Sequence, residues 1–460
     1  MGETSLAPAV TPPTAPPRGR RRALAALIIF LLIVLAYVFG AGVILLRLPS
    51  HKFLTNAFVA YQSWIKRKEE IKKNHPNSST ASIDTTALLD KGPQKTCDGF
   101  TLFMSAPDNT TALVDMHGKV VHKWDTQFSH VFPPGQRPHV EGDVNDNVVC
   151  SFCGHMYPDG RLLVVFHGWG SKSALNGYGL AELGEDSSVN WRFAENIHHD
   201  IVVGEDDHNI YAIKHELVES IPGVEHLPSP AIVDSVVVLS ADGNKKDELP
   251  ILDMFRDSPR YSSLLGILDT PVLHGVQQPI SDDPNGDVMH LNHVEPLPRR
   301  LADKFPMFKP GQLLISMRHL NIVAVIDPET RSVVWAGQGP WQAQHDPHFL
   351  DNGHILIFDN EGLWKTASRV LEFDPLTQSF PWVCSGYNKD VPFYTFERGM
   401  SQRFPNGNTL IVDTHSHLLL EVDENRDLVW RMKTPGDVNF AHRYNPEQAR
   451  FLTKRGVKPR

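Results

Sequence analysis

Histidine is where the chemistry of this sequence concentrates. It supplies 23 of the 460 residues, and several recur just ahead of a turn that opens a β-rich run. His198-His199-Asp200 precedes the turn at Asn209, Asp287-Val-Met-His290-Leu-Asn292-His293 precedes the one at Pro310, and Gln344-His345-Asp-Pro-His348 precedes the one at Gly353. Arg318-His319 ends the run that follows Pro310. A neutral imidazole is a competent nucleophile near neutral pH, its unperturbed pKa being about 6.5, and it is also a metal ligand. A guanidinium at Arg318 argues against a bound cation, which it would repel. Taken singly, a histidine in a β-protein is read as a hydrogen-bonded structural residue, and His319, His348, His354 and His442 are left in that class. His415-Ser-His417 has the spacing that puts two rings on one face of a strand, which suits packing better than a metal pair. His199, His290, Arg318 and His345 stand apart because they occupy equivalent places.

Equivalent places require a repeat, and there are two. In the first, an apolar strand meets an Asp/Gly/Asn turn and a strand ending mostly in Trp. It runs from Leu113 to Trp124, Leu180 to Trp191, Val236 to Gly243 (without the Trp), Val325 to Trp335, Val370 to Trp382 and Leu420 to Trp430. Each copy is a β-hairpin signal, and six copies predict six blades. The second unit, a turn followed by a β-rich run, falls between them at Pro158-Asp-Gly160, Asp207-His-Asn209, Pro310-Gly, Asp351-Asn-Gly353 and Pro405-Asn-Gly407. It suits the inner half of a blade. Residues 250–290 read as an insertion with some helix. The fold class is thus all-β, a six-bladed β-propeller over residues 97–460. Its inner strands surround one funnel, on which residues far apart in sequence converge.

The rest of the chain places this domain. Ala23 to Leu46 is 24 residues without a charge, long enough for one transmembrane helix, and Arg18, Arg20, Arg21 and Arg22 stand before it. The heavier basic flank predicts a cytoplasmic tail over residues 1–22 and an extracytoplasmic C-terminal bulk, periplasmic or extracellular. Residues 47–96 read as a stem helix, over 53–73, and a polar linker. Residues 1–75 hold 11 Lys/Arg against 3 Asp/Glu, so the net −9 leaves −17 for the remainder, which gives no basic stripe for nucleic acid. Cys97, Cys150, Cys153 and Cys384 could form one or two disulfides or stay as buried thiols, and the lone CxxC has no second half for zinc. Asn77 and Asn109 begin glycosylation-type triplets.

The motifs Asp287-x-x-His290-x-Asn292, Ser316-Met-Arg318-His319, Gln344-His345-Asp with Asn352-Gly353, and His198-His199-Asp200 together resemble the bacterial arylsulfate sulfotransferases. The resemblance runs over roughly residues 97–445. It implies a six-bladed propeller that moves a sulfuryl group from an aryl sulfate ester to a phenol through a sulfated histidine, with no nucleotide donor and no cofactor. Carried over by motif, His345 is the nucleophile, and His199, His290, Asn292 and Arg318 bind the sulfuryl oxygens, with His198 also at the substrate. Consistent with that, no phosphate-cradling Gly-x4-Gly-Lys-Ser/Thr loop occurs; Gly170-Ser-Lys172-Ser breaks the pattern. The chain departs from the family in its membrane anchor, its shorter stretches between motifs, and His293, where Ser often follows the Asn. Two other readings stand beside this one: a metalloenzyme with iron or another divalent ion in the His cluster, and a non-catalytic binding propeller. Nothing in the sequence speaks to the oligomeric state.

Overall fold

A computed structural model describes residues 88–460 except 107–108, 138–143, 169–174, 225–228, 270–285 and 363–365. The apolar run Ala23–Leu46 and the stem helix expected over 53–73 lie outside the described residues, among which no helix is long and apolar enough to cross a membrane.

The six blades are there. Five consist of four consecutive antiparallel strands: Val149–Met156 to Val189–Phe193, Ile197–Val203 to Lys245–Pro250, Leu291–Pro296 to Ser332–Gln338, His345–Phe349 to Ser379–Ser385, and Met400–Arg403 to Leu428–Lys433. The first blade takes only three strands from its own stretch, Phe100–Ala106, Thr110–Val114 and Val120–Trp124. Its innermost strand is the C-terminal Asp437–Tyr444, which closes the ring. A second tie joins the ends, since Leu89–Asp90, within the expected linker, pairs with the outermost strand of the sixth blade. Each inner strand touches the inner strands of both neighbours, all the way round.

Second strands such as Leu313–Met317, Ile355–Asp359 and Thr409–Asp413 are buried along their whole length, because the flanking blades cover both faces. That is why they read as unbroken apolar runs and not as alternating ones. The recurring Trp works between blades. Trp124 Nε1 donates to Gly160 O (3.1 Å) in the second blade, Trp382 Nε1 to Glu424 O (2.9 Å) in the sixth, and Trp430 Nε1 to Met116 O (3.0 Å) across the ring closure. Trp191 instead lies on Gly243 of the third blade, where any Cβ would meet the indole at 2.5 Å. The expected insertion contains the helix Ile251–Arg256 and a 3-10 turn over Ser262–Asp269.

Other expectations change. All four cysteines are free thiols. His415 and His417 belong to a turn, not a strand; His415 stacks on Phe396 and His417 pairs with Asp437. Asn109 spends its amide internally, accepting from Ser151 N (2.9 Å) and donating to Thr126 O (3.1 Å), so it is poorly placed to carry a glycan.

Candidate active site

Five of the six inner strands carry a β-bulge. The ladder skips Phe152 in the second blade, His199 and Asp200 in the third, Asn292 in the fourth, Asp346 and Pro347 in the fifth, and Asn439 in the strand that closes the first. A bulge leaves a residue out of the ladder and re-aims its side chain. Phe152, His199, Asp200, Asn292, Asp346 and Asn439 all line one cavity of ≈ 30 Å³, shared with His345 and Arg398. His199 (φ 55°), Asp346 (φ 52°) and Arg398 (φ 60°) hold left-handed backbones there, as does His290 (φ 53°), which packs on His199 and does not line the cavity. Non-glycine residues hold that region at a cost that is typical of functional sites.

His345 is the best-defined side chain. Its Nδ1 lies 3.0 Å from Ala343 O and 2.7 Å from Asn360 Oδ1. The sense of the Asn360 amide is set by Nδ2, which donates to Thr395 O (3.0 Å) and Arg398 O (2.5 Å). Nδ1 therefore faces two acceptors and carries the proton, leaving the lone pair on Nε2. Burial, then the positive charge of Arg318, pulls the His345 pKa down to about 4, so the ring is neutral at pH 7.

His199 and His290 meet with ring centroids 4.5 Å apart. Both are held well below the usual imidazole range, His199 by burial and then by neighbouring histidines, and His290 by burial and then by His199. His290 Nδ1 is tied to Asp287 Oδ2 at 2.6 Å, which leaves its Nε2 for a ligand. Arg318 acts on all three rings; its Nη2 donates to Phe396 O (3.3 Å), and its Nε is buried without a hydrogen-bond partner. Asn292 donates through Nδ2 to Gln344 O (2.8 Å), so its unpaired atom is Oδ1, an acceptor. His198 sits behind His199 and faces Asp234, away from the cavity wall.

Three His/carboxylate sets have ligand-like spacing. In His198–His215–Asp234 the two rings stack at 3.4 Å and 25°, so their lone pairs run side by side and do not converge. In Asp287–His290–His319 both Nδ1 atoms are taken by Asp287. In the third set, His348 is paired with Asp346 (3.0 Å). Burial pulls the His348 pKa down, but the carboxylates of Asp346 and Glu295 overcome it and raise the ring well above its usual range. These are the contacts of hydrogen-bonded and ion-paired networks.

Arg398, Asn439 and Asn360 were not singled out in the sequence. Arg398 has a signal after the fact: it stands ahead of the sixth inner strand as His199, His290 and His345 stand at theirs. Its Nη1 donates to Asn439 Oδ1 (3.1 Å), and its guanidinium is 5.9 Å from the Phe152 ring.

Among solved structures the chain is similar to a Bacteroides caccae protein of unknown function (11% identity, 75% of this chain and 98% of that one, TM-score 0.45). It is also similar to a chain of a nidogen/laminin complex (7%, 74% and 97%, TM-score 0.40) and a virginiamycin B lyase from Staphylococcus aureus (8%, 64% and 73%, TM-score 0.32). Likenesses this distant say nothing about chemistry. No curated protein matches the chain. In the family comparison residues 252–435, which carry His290, Asn292, Arg318 and His345, match the arylsulfotransferase (ASST) family and bear out the resemblance; His198-His199-Asp200 lies outside the match.

Proposed function

We propose that the propeller transfers a sulfuryl group from an aryl sulfate ester to a phenol through a covalent N-sulfohistidine at His345. The observation that carries this reading is the fixed tautomer of His345, neutral and with Nε2 bare, among three charge-stabilising groups. The lone pair on Nε2 attacks sulfur, the S–O(aryl) bond breaks, and the aryl oxygen takes the electron pair. Arg318, whose charge lowers the His345 pKa, and His290, 4.5 Å from the His199 ring, support the reading as groups that would offset charge on the sulfuryl oxygens, as in phosphoryl transfer. The cavity suits the small sulfuryl group. Asn292, whose free atom is an acceptor, fits a phenol hydroxyl and not a sulfuryl oxygen.

The apolar run Ala23–Leu46 after four arginines supports a single-pass anchor in the lipid bilayer with the propeller outside the cytoplasm. Protease added to intact cells or spheroplasts should then digest the propeller; protection until lysis would reverse the orientation.

The chemical test is incubation with a chromogenic aryl sulfate alone. It should leave an acid-labile sulfuryl group on the His345 peptide, and His345→Asn should lose both label and turnover while staying folded. Normal turnover by that variant, or a label on another histidine, ends the proposal.

A further inference from the structure

Behind the cavity wall, three side chains form a line. Asp234, in the strand Ala231–Leu239, is buried and accepts the Leu291 N–H at Oδ2 (2.9 Å). Its Oδ1 is 3.2 Å from His198 Nε2, and His198 Nδ1 is 2.5 Å from His199 Nδ1. Each gap holds one proton, so only two arrangements keep both imidazoles neutral. In one, the Asp234 carboxylic acid donates to His198 Nε2, His198 Nδ1–H donates to His199 Nδ1, and His199 carries its own proton on Nε2. In the other, every bond is reversed and His199 Nε2 is bare. Passing from the first to the second releases the His199 Nε2 proton while two protons shift along the line, so the charge appears on Asp234 as a carboxylate and neither imidazole becomes charged.

The direction of rest is also legible. Burial, then the nearby Asp287, pushes the Asp234 carboxyl well above its usual range. Its ion-pair neighbours are only histidines, among the described residues. The acid form therefore dominates, and His199, the member that lines the cavity, presents an N–H.

The geometry points to Asp234, His198 and His199 as a proton relay that lends one proton to the departing aryl oxygen and recovers it from the incoming phenol. This rests on the sulfuryl-transfer reading above. As His345 Nε2 bonds to sulfur and the S–O(aryl) bond breaks, the aryl oxygen takes the proton from His199 Nε2. His198 passes its Nδ1 proton to His199 and takes the Asp234 proton on Nε2, leaving a carboxylate. In the second half, the phenol gives its proton to His199 Nε2, its oxygen bonds to sulfur, and the N–S bond returns its pair to His345. The relay ends as it began. Asp234 and His198 are positioning residues, acting through His199.

The test is the donor's leaving group. In a ping-pong reaction, kcat/KM for the donor reports the first half alone. Phenyl sulfate must leave protonated, whereas p-nitrophenyl sulfate leaves as a stable phenolate. Asp234→Asn should cut kcat/KM for phenyl sulfate about 100-fold, in the range of general acid catalysis, and that for p-nitrophenyl sulfate by no more than about threefold. Retained p-nitrophenyl sulfate turnover shows the variant is folded; should Asp234→Asn not fold, His198→Gln carries the same expectation. Equal losses for the two donors overturn the relay and leave the group transfer standing. A wild-type protein that turns over neither donor overturns both.

Discussion

Asn360 Oδ1, in the bend just after the strand Ile355–Asp359, lies 2.7 Å from His345 Nδ1 and so helps leave Nε2 as the ring nitrogen with the free lone pair. Asn360→Leu removes the nearer of two acceptors and leaves the Nδ1–H with Ala343 O alone, a loss of about 0.5–1.5 kcal/mol. The rate of sulfohistidine formation should drop roughly 2–10-fold. An unchanged single-turnover rate would show that the tautomer is set elsewhere.

Arg318 makes one long hydrogen bond to Phe396 O and leaves Nε unpaired, so little structural duty competes with a role toward substrate. Arg318→Ala should lower kcat/KM by about 2–4 kcal/mol of transition-state stabilisation, while the label still forms at His345. A label that moves to His290 in this variant would contradict the assignment.

The His345 pKa of about 4 sets the acid limit of the reaction. kcat/KM should hold steady as pH falls through 6.5 and decline only near 4, because protonation removes the nucleophilic lone pair. Arg318→Ala takes away a positive charge and should move that limb upward. A wild-type limb at 6–7 would mean that His345 is an ordinary exposed histidine.

Stability should weaken with acid for a related reason. Burial lowers the pKa of His155 to about 4, and burial followed by neighbouring charges lowers His167 and His442 to about 3. Between pH 6.5 and about 4 the unfolded chain binds protons that the folded chain refuses. Their contribution is therefore intact above 6.5 and is lost as pH falls, by about 1.4 kcal/mol per pH unit for each ring. His155→Asn should flatten a plot of melting temperature against pH over this window; an unaltered slope would rule out that residue as a contributor.

The ring closure offers a further measurement. Trp430 is fully buried and its N–H bonds Met116 O across the seam. Trp430→Phe should destabilise by about 1–3 kcal/mol through the orphaned carbonyl and the lost volume. Denaturant unfolding reads this directly; no loss would mean that the strand pairings of Asp437–Tyr444 and Leu89–Asp90 carry the closure without this indole.

The repeat was legible because each Trp hairpin is local. The runs from Leu113 to Trp124 and from Leu420 to Trp430 sit inside single blades, and all six hairpins fall at blade exteriors. Only five inner-type units exist because the first blade borrows Asp437–Tyr444, a pairing across more than 330 residues for which short-range pattern holds no trace. The site was legible where its residues were histidine or carried a family motif. Asn439, in a strand, and Asn360, in a bend, were not, since an isolated Asn looks like any polar residue until a bulge or a tautomer gives it a duty. His198 was legible as chemical but not as second in line, because adjacent residues point apart and only the fold shows which one faces the cavity.

The borrowed strand has a consequence for biosynthesis. When the ribosome has made Phe100–Ala106, the partner that will cover its inner edge is still untranslated. At about 5–20 residues per second it emerges roughly 15–65 s later. For that interval a fully buried strand waits with an open edge, a template for pairing with other nascent chains. Premature termination before Asp437 would also leave out Asn439, so a truncated product would have both an unsealed edge and an incomplete cavity wall.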